Sequence, residues 1–291
     1  MTRVGEGLAW RTPWFALMLA ASCWLCAAVA PAARSTARAQ TSNVPADVAA
    51  ALPQGATVVM GASGDLTNQG QTDWAVVYTL PVTLENGVTI ARPSLAILLP
   101  SASGWTVSAT VTMDFGVGAN VYLAGIGDTN AAVFTAGVGA HAERMIILRW
   151  NGKDFHTIFD QTDNTPGLQL VDVDGDGVPE VVKEFSSYCE AYVTAPRLVE
   201  VWGWNGFQYV EDTNRYPGAI ATAWTDVTNA FTRANADGWR PDGIACLHGA
   251  LAYLADKAGD QQTANAECAK AHSIDPTWSA EWAPAACGAA G

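Results

Sequence analysis

Nine residues carry the densest chemistry in the chain: Asp172-Val173-Asp174-Gly175-Asp176-Gly177-Val178-Pro179-Glu180. Carboxylates packed this closely repel one another unless a cation sits among them. Alternating Asp side chains in a tight turn direct their oxygens inward, as a hard cation with about six to eight oxygen ligands requires. Asp172, Asp174, Asp176 and Glu180 are the candidate side-chain ligands and Val178 offers a backbone carbonyl, while Gly177 lets the chain turn sharply. The expected ion is Ca²⁺. An EF-hand would need a Glu at its twelfth loop position, where this chain has Lys183. The competing reading is a solvated acidic turn, because Asp and Gly favour turns without any metal. A second loop, Asp65-x-Thr67-x-Gln69-Gly70-x-x-Asp73, keeps two acids and is read as either a weaker cation site or a hydrogen-bonded turn. Asp128 with Asn130 is read as structural.

Other reactive side chains fall into no catalytic pattern. The nucleophile elbow G-x-S-x-G, the H-E-x-x-H pair and the P-loop do not occur. His141, His156, His248 and His272 are scattered along the chain. Cys189 precedes Glu190, an acid that disfavours a thiolate. Trp202 and Trp204 share one face of a strand, which suits either a platform for sugar rings or packing in the core. The expected function is therefore a non-enzymatic binding module. Two alternatives stand beside it: an extracellular hydrolase with unrecognised catalytic residues, and an assembly subunit.

The elements that must position these residues change character once. From Ala56 to about Val210 the chain alternates short runs of Val, Ile, Thr and aromatic residues with Gly, Asn and Asp, as strands and turns do. Asn-Gly at 86–87, 151–152 and 205–206 predicts tight hairpins. From Pro217, alanine-rich segments with apolar residues at helical spacing predict helices over 219–234, 244–258 and 261–273, with a short one after Pro276. The domains are thus a leader over 40–55, a β region over 56–216 and a helical tail over 217–291.

The β region repeats. Asp65–Asp73 aligns with Asp172–Glu180 at an offset of 107, and Trp150-Asn151-Gly152 with Trp204-Asn205-Gly206 at an offset of 54. Three units of about 50 residues follow, 56–113, 119–162 and 167–213, each long enough for a four-stranded meander. The fold class is therefore mainly β plus α: a propeller-like array of three antiparallel four-stranded blades followed by a helical domain. On the D-x-D-x-D-G-x-x-E loop and this period, the chain resembles FG-GAP/VCBS-type propeller repeats, with Glu180 where that family has Asp. The resemblance implies calcium in the loop and a protein or glycan ligand. A closed propeller typically has four or more blades, so the array is expected to be divergent, open or completed by a second copy. Residues 245–278 resemble one tetratricopeptide repeat, with Leu251-Ala252, Gly259-Asp260, Ala264, Ala271 and Asp275-Pro276 at matching positions, and with His248, Ala255 and Cys268 departing from the pattern. One such repeat builds no peptide groove, so a helical cap is the expected role.

The compartment comes from the N-terminus. Arg3 and Arg11, the apolar stretch Trp14 to Val29, and Ala37-Arg38-Ala39 before Gln40 have the order of a cleavable export signal. An uncleaved anchor is the alternative. The formal charge of the whole chain is −13, and loss of residues 1–39, with four Arg and one Glu, takes it to −16. Such a surface repels phosphate backbones and excludes nucleic acid as a partner; cations and basic surfaces suit it better. Cys189, Cys246, Cys268 and Cys287 remain after cleavage, and in an oxidising compartment a disulfide is expected. Cys246 and Cys268 stand at similar heights on a helical hairpin and form the expected bridge, with Cys287 also close in sequence.

Overall fold

A computed structural model of the chain describes residues 43–139, 141–163, 167–189 and 195–288. The expected export signal and its cleavage junction lie outside the described residues. The first sheet is a meander of β1 (Thr57–Gly64), β2 (Asp73–Thr83), β3 (Thr89–Ser101) and β4 (Gly104–Thr112). The second holds β5 (Val117–Ile126), β6 (Thr129–Gly139), β7 (Ala142–Trp150) and β8 (Phe155–Asp163). The third holds β9 (Leu168–Val171), β10 (Glu180–Ser186), β11 (Arg197–Trp204) and β12 (Tyr209–Glu211). All pairings are antiparallel between chain neighbours. The three expected units are therefore three open four-stranded sheets, with no closed ring among the described residues.

Side-chain alternation explains how the sheets stack. In the middle sheet Ala132, Phe134, Ile146 and Leu148 join a core with the first sheet. Their neighbours Ala131, Val133, Met145 and Ile147 join a core with the third. A sheet buried on both faces needs unbroken apolar runs rather than alternation, and Ala131–Phe134 and Met145–Leu148 are such runs. The first sheet does the same: Ala75, Val77, Leu95 and Ile97 face the second sheet, while Trp74, Val76, Tyr78 and Leu98 face outward.

Helices cover both ends of the stack. Against the outer face of the first sheet lies α1 (Ala46–Ala49), with Val48 and Leu52 buried in its core cluster and the Trp105 indole N–H donating to Asp47 at 2.9 Å. Within the segment 40–55, read from the sequence as a leader, Val48 and Leu52 cover the apolar outer face of the first sheet. Over the third sheet lie α2 (Pro217–Asp237) and α3 (Pro241–Lys257), whose apolar residues share one cluster with Leu198, Val199 and Val201. The tail continues through α4 (Gln261–Ile274) and α5 (Ala285–Gly288). Each boundary has a local cause. Pro opens α2 and α3, where the missing N–H has no helical partner anyway. Gly238 ends α2 in the left-handed conformation, and the Asp260 carboxylate caps α4 by accepting from the Thr263 N–H at 3.0 Å.

Hairpins form at the Asn-Gly positions, where only glycine takes a positive φ, as at Gly152 and Gly206 (both +97°). The Asn side chain instead caps a four-residue loop: Asn151 Oδ1 accepts from the Lys153 and Asp154 N–H groups, and Asn205 Oδ1 from those of Phe207 and Gln208. The expected Cys246–Cys268 bridge does not form. Cys189 pairs with Cys246 and Cys268 with Cys287, at Cα separations of 5.2 and 5.0 Å. Helical phase is the reason. Each residue turns the helix by about 100°, so residues two apart point to nearly opposite sides. On α3, His248 points at α4, where its Nδ1 meets Glu267 at 2.7 Å. Cys246, two residues earlier, therefore faces the loop after β10.

Candidate metal centre

The acidic loop connects β9 to β10. Its ends are held by the antiparallel pair Val171–Glu180, so the chain must reverse within eight residues. Gly175 and Gly177 make this possible at φ of +80° and +88°. The carboxylates organise the turn. Asp172 accepts from the N–H groups of Gly175 at 2.7 Å and Gly177 at 3.0 Å. Asp174 accepts from the Asp176 N–H at 3.2 Å, and Asp176 from the Val178 N–H at 2.7 Å. One oxygen from each of Asp172, Asp174 and Asp176 lies within 4.8 Å of the others. Oxygens that share one Ca²⁺ at 2.3–2.6 Å stand at most about 5 Å apart, so the spacing fits a single ion of that size.

Glu180 is placed differently from its three companions. It begins β10, is buried, and accepts from the Val173 N–H at 2.7 Å. It does not belong to the three-carboxylate group. Burial pushes its carboxyl upward from the ordinary range, and the charges of Asp174 and Asp176 add to that push. The Val173 N–H and the Tyr216 hydroxyl oppose it. Arg215 approaches Asp174 at 3.8 Å and Asp212 at 3.9 Å, which supplies part of the positive charge the loop needs. Arg215 and Tyr216 stand at the junction with α2, where no motif in the sequence marks them. Val178 donates its N–H within the loop and packs partly into the core between the second and third sheets.

The Asp65 loop is the same device with less charge. It joins β1 to β2, and Asp65 accepts from Gly70 at 2.7 Å across the five-residue interval that separates Asp172 from Gly177. Asp73, like Glu180 the first residue of its strand, accepts from Leu66 at 2.8 Å and Thr67 at 3.1 Å across the loop. Burial pushes Asp73 upward against those bonds. Gln69 donates its N–H to Asp65, and the Thr67 hydroxyl bonds to Asp73 at 3.2 Å. Where the third sheet has Asp174 and Asp176, this loop has Thr67 and Gln69, so two acids remain and one of them is turned inward. The middle sheet shortens the connection to Gly127-Asp128 between the paired residues Ile126 and Thr129. Asn130 there donates to the Asp65 carbonyl at 2.8 Å, and Asp128 accepts from Arg149. Arg149 in turn lies 5.1 Å over the Trp204 ring. The middle hairpin thus ties together the corresponding ends of all three sheets.

The remaining candidates disperse. Trp202 and Trp204 do share a face, but it is the one packed against the second sheet, with Trp202 edge-on to Phe159 at 5.7 Å. They are partly buried and pack on that core rather than forming a surface platform. His156 stacks on Phe207, His248 bonds to Glu267, and His272 meets the Cys287 carbonyl at 2.7 Å. No helix among the described residues is long and apolar enough to cross a membrane, and the two disulfides suit an oxidising compartment. No protein-family model matches the chain, and the search of curated proteins found no match either.

Proposed function

We propose that the chain is an exported, calcium-stabilised β-repeat module that binds a protein or glycan ligand at the cell envelope and catalyses no reaction. In this reading it is a divergent relative of FG-GAP/VCBS repeats, and its tail is a single tetratricopeptide-like hairpin acting as a cap. The observation that carries the metal assignment is the set of three carboxylate oxygens within 4.8 Å of one another in the β9–β10 turn. The surplus of acids over bases makes a basic ligand the better electrostatic match. Closure of the array by a second copy would first have to displace α1 or the α2–α3 pair from the faces they cover.

Thermal melting tests the metal. An ion that binds only the folded loop stabilises by RT ln(1 + [L]/Kd), about 2.7 kcal/mol at a hundredfold excess over Kd. The purified protein should melt higher in millimolar calcium than in chelator. Asp174→Ala should melt at the lower temperature in both. Identical melting of the unsubstituted protein in the two conditions would reduce the loop to an acidic turn.

A further inference from the structure

A cavity of about 620 Å³ opens between the third sheet and the helical tail, far along β10 from the acidic loop. Its floor is the ion pair of Lys183 with Glu200 at 3.3 Å, and the Tyr253 hydroxyl gives Glu200 a second bond at 3.1 Å. Its side walls include Phe185 on the sheet and Trp278 and Trp282 on the segment after α4. The two indoles stand 6.1 Å apart at 60°, and Trp282 meets the Tyr253 ring edge-on at 6.2 Å. Segment 278–282 is held there by a close fit, since Trp278 lies directly on Gly249 of α3.

Charge selects the class of ligand. Among the described residues the lining carries the carboxylates of Asp163, Glu200, Asp242 and Glu281 against the single ammonium of Lys183. Lys183 and Glu200 satisfy each other, which leaves Asp242 and Glu281 as surplus negative charge in the lining. Asp242 is met at 2.9 Å by Arg240, but that guanidinium is 86% exposed, and an ion pair in open solvent neutralises little. Anionic ligands are repelled by this surplus. An ammonium group is attracted by it, and aromatic faces in a partly dry cavity attract the same group through their quadrupoles. The wall already holds one such contact: the Lys183 ammonium lies 5.0 Å over Phe185.

We propose that this cavity binds a small organic cation, an ammonium group on an apolar body, with the charge held by Asp242 and Glu281 and the body packed on Trp278 and Trp282. The proposal deepens the binding-module reading and rests on it, but it is independent of calcium. The source of the ammonium is a free amine or the lysine side chain of a basic peptide.

Titration calorimetry with benzylammonium, its neutral counterpart benzyl alcohol, methyl glucoside and Nα-acetyl-lysinamide tests it, each run in calcium and in chelator. Benzylammonium is expected to saturate with Kd on the order of 0.1–1 mM and to weaken as salt rises. Benzyl alcohol should bind about tenfold more weakly, by loss of the charge contacts. Glu281→Gln, an exposed change, should weaken the amine by about threefold and leave the melting temperature unchanged. Trp282→Ala should abolish binding, with Glu281→Gln remaining decisive if that variant fails to fold. Acetyl-lysinamide matching or exceeding benzylammonium would assign the peptide source, and weaker binding the free amine. Absence of saturable amine binding at 10-fold above about 1 mM, equal binding of benzyl alcohol, or tighter binding of methyl glucoside would each overturn the proposal. Calcium-dependent melting with no amine binding would sink this inference and leave the metal reading intact.

Discussion

At the scale of single residues, the same carboxylate chemistry serves two purposes. Asp172 and Asp65 shape turns by accepting backbone N–H groups, and the acids that follow them, Glu180 and Asp73, turn inward and staple the loop shut. What separates the two loops is the pair of positions between, Asp174 and Asp176 in one and Thr67 and Gln69 in the other. Asp65→Ala should therefore destabilise the protein by a similar amount in calcium and in chelator, because it removes turn bonds and not a metal. Calorimetric melting of that variant in both conditions checks this. A second acid, Glu267, responds to pH. Burial pushes its carboxyl up, but hydrogen bonds from Lys270 at 2.6 Å and His248 at 2.7 Å outweigh that and hold it below the ordinary value. A lowered folded-state value means that the stabilisation is present above the ordinary glutamate range and is lost as pH falls through the lowered value. Glu267→Gln should cost about 1–2 kcal/mol at pH 7 and flatten the acid limb of the stability profile. Denaturant unfolding between pH 3 and pH 7 measures both.

At the scale of elements, Gly249 in the interior of α3 contradicts helix propensity for a packing reason. In an exposed helix, Gly→Ala gains about 1 kcal/mol. Here a methyl group would overlap the outer ring atoms of Trp278, so Gly249→Ala should cost about 1–3 kcal/mol by overpacking. Trp278→Phe removes those outer atoms. In its background the glycine substitution should be neutral or stabilising, and a double-mutant cycle reads the coupling directly. Equal costs in both backgrounds would show that the two residues are energetically independent.

At the scale of the molecule, the layers run in chain order: α1, three sheets, then the helical tail. Stacked sheets leave two apolar outer faces, and each is covered by the helix nearest in sequence. Deletion of residues 1–55 should expose Trp74, Val76, Tyr78 and Leu98 and lose the burial of Val48 and Leu52. At about 1.5 kcal/mol or more per buried side chain, the loss is about 3 kcal/mol. Binding of a hydrophobic dye and a lower melting midpoint relative to a chain starting at Gln40 are the expected readouts. Unchanged melting would return 44–52 to the status of a leader.

Local rules were enough to determine much of this protein. Strand-forming runs, turn glycines and the change to alanine-rich helical spacing at Pro217 depend on neighbours within a few residues, so the three meanders and the helical tail were legible. The offsets of 107 and 54 also survived folding, since they mark corresponding turns in different sheets: β1–β2 with β9–β10, and β7–β8 with β11–β12. The three Asp residues of the acidic loop were legible for the same reason, because one turn brings them together. Contacts between distant segments were not. Cys189 meets Cys246 across 57 residues because the phase of α3 aims Cys246 at the β10 loop, and spacing along a hairpin cannot reveal phase relative to a third element. Trp202 and Trp204 pack against the core because a second sheet covers their face. The aromatic and acidic cavity draws on β8, β10, β11, α3 and the segment after α4, and no local pattern links those five. Only the stacking of layers, driven by burial of faces that are apolar on both sides, decided which side chains meet.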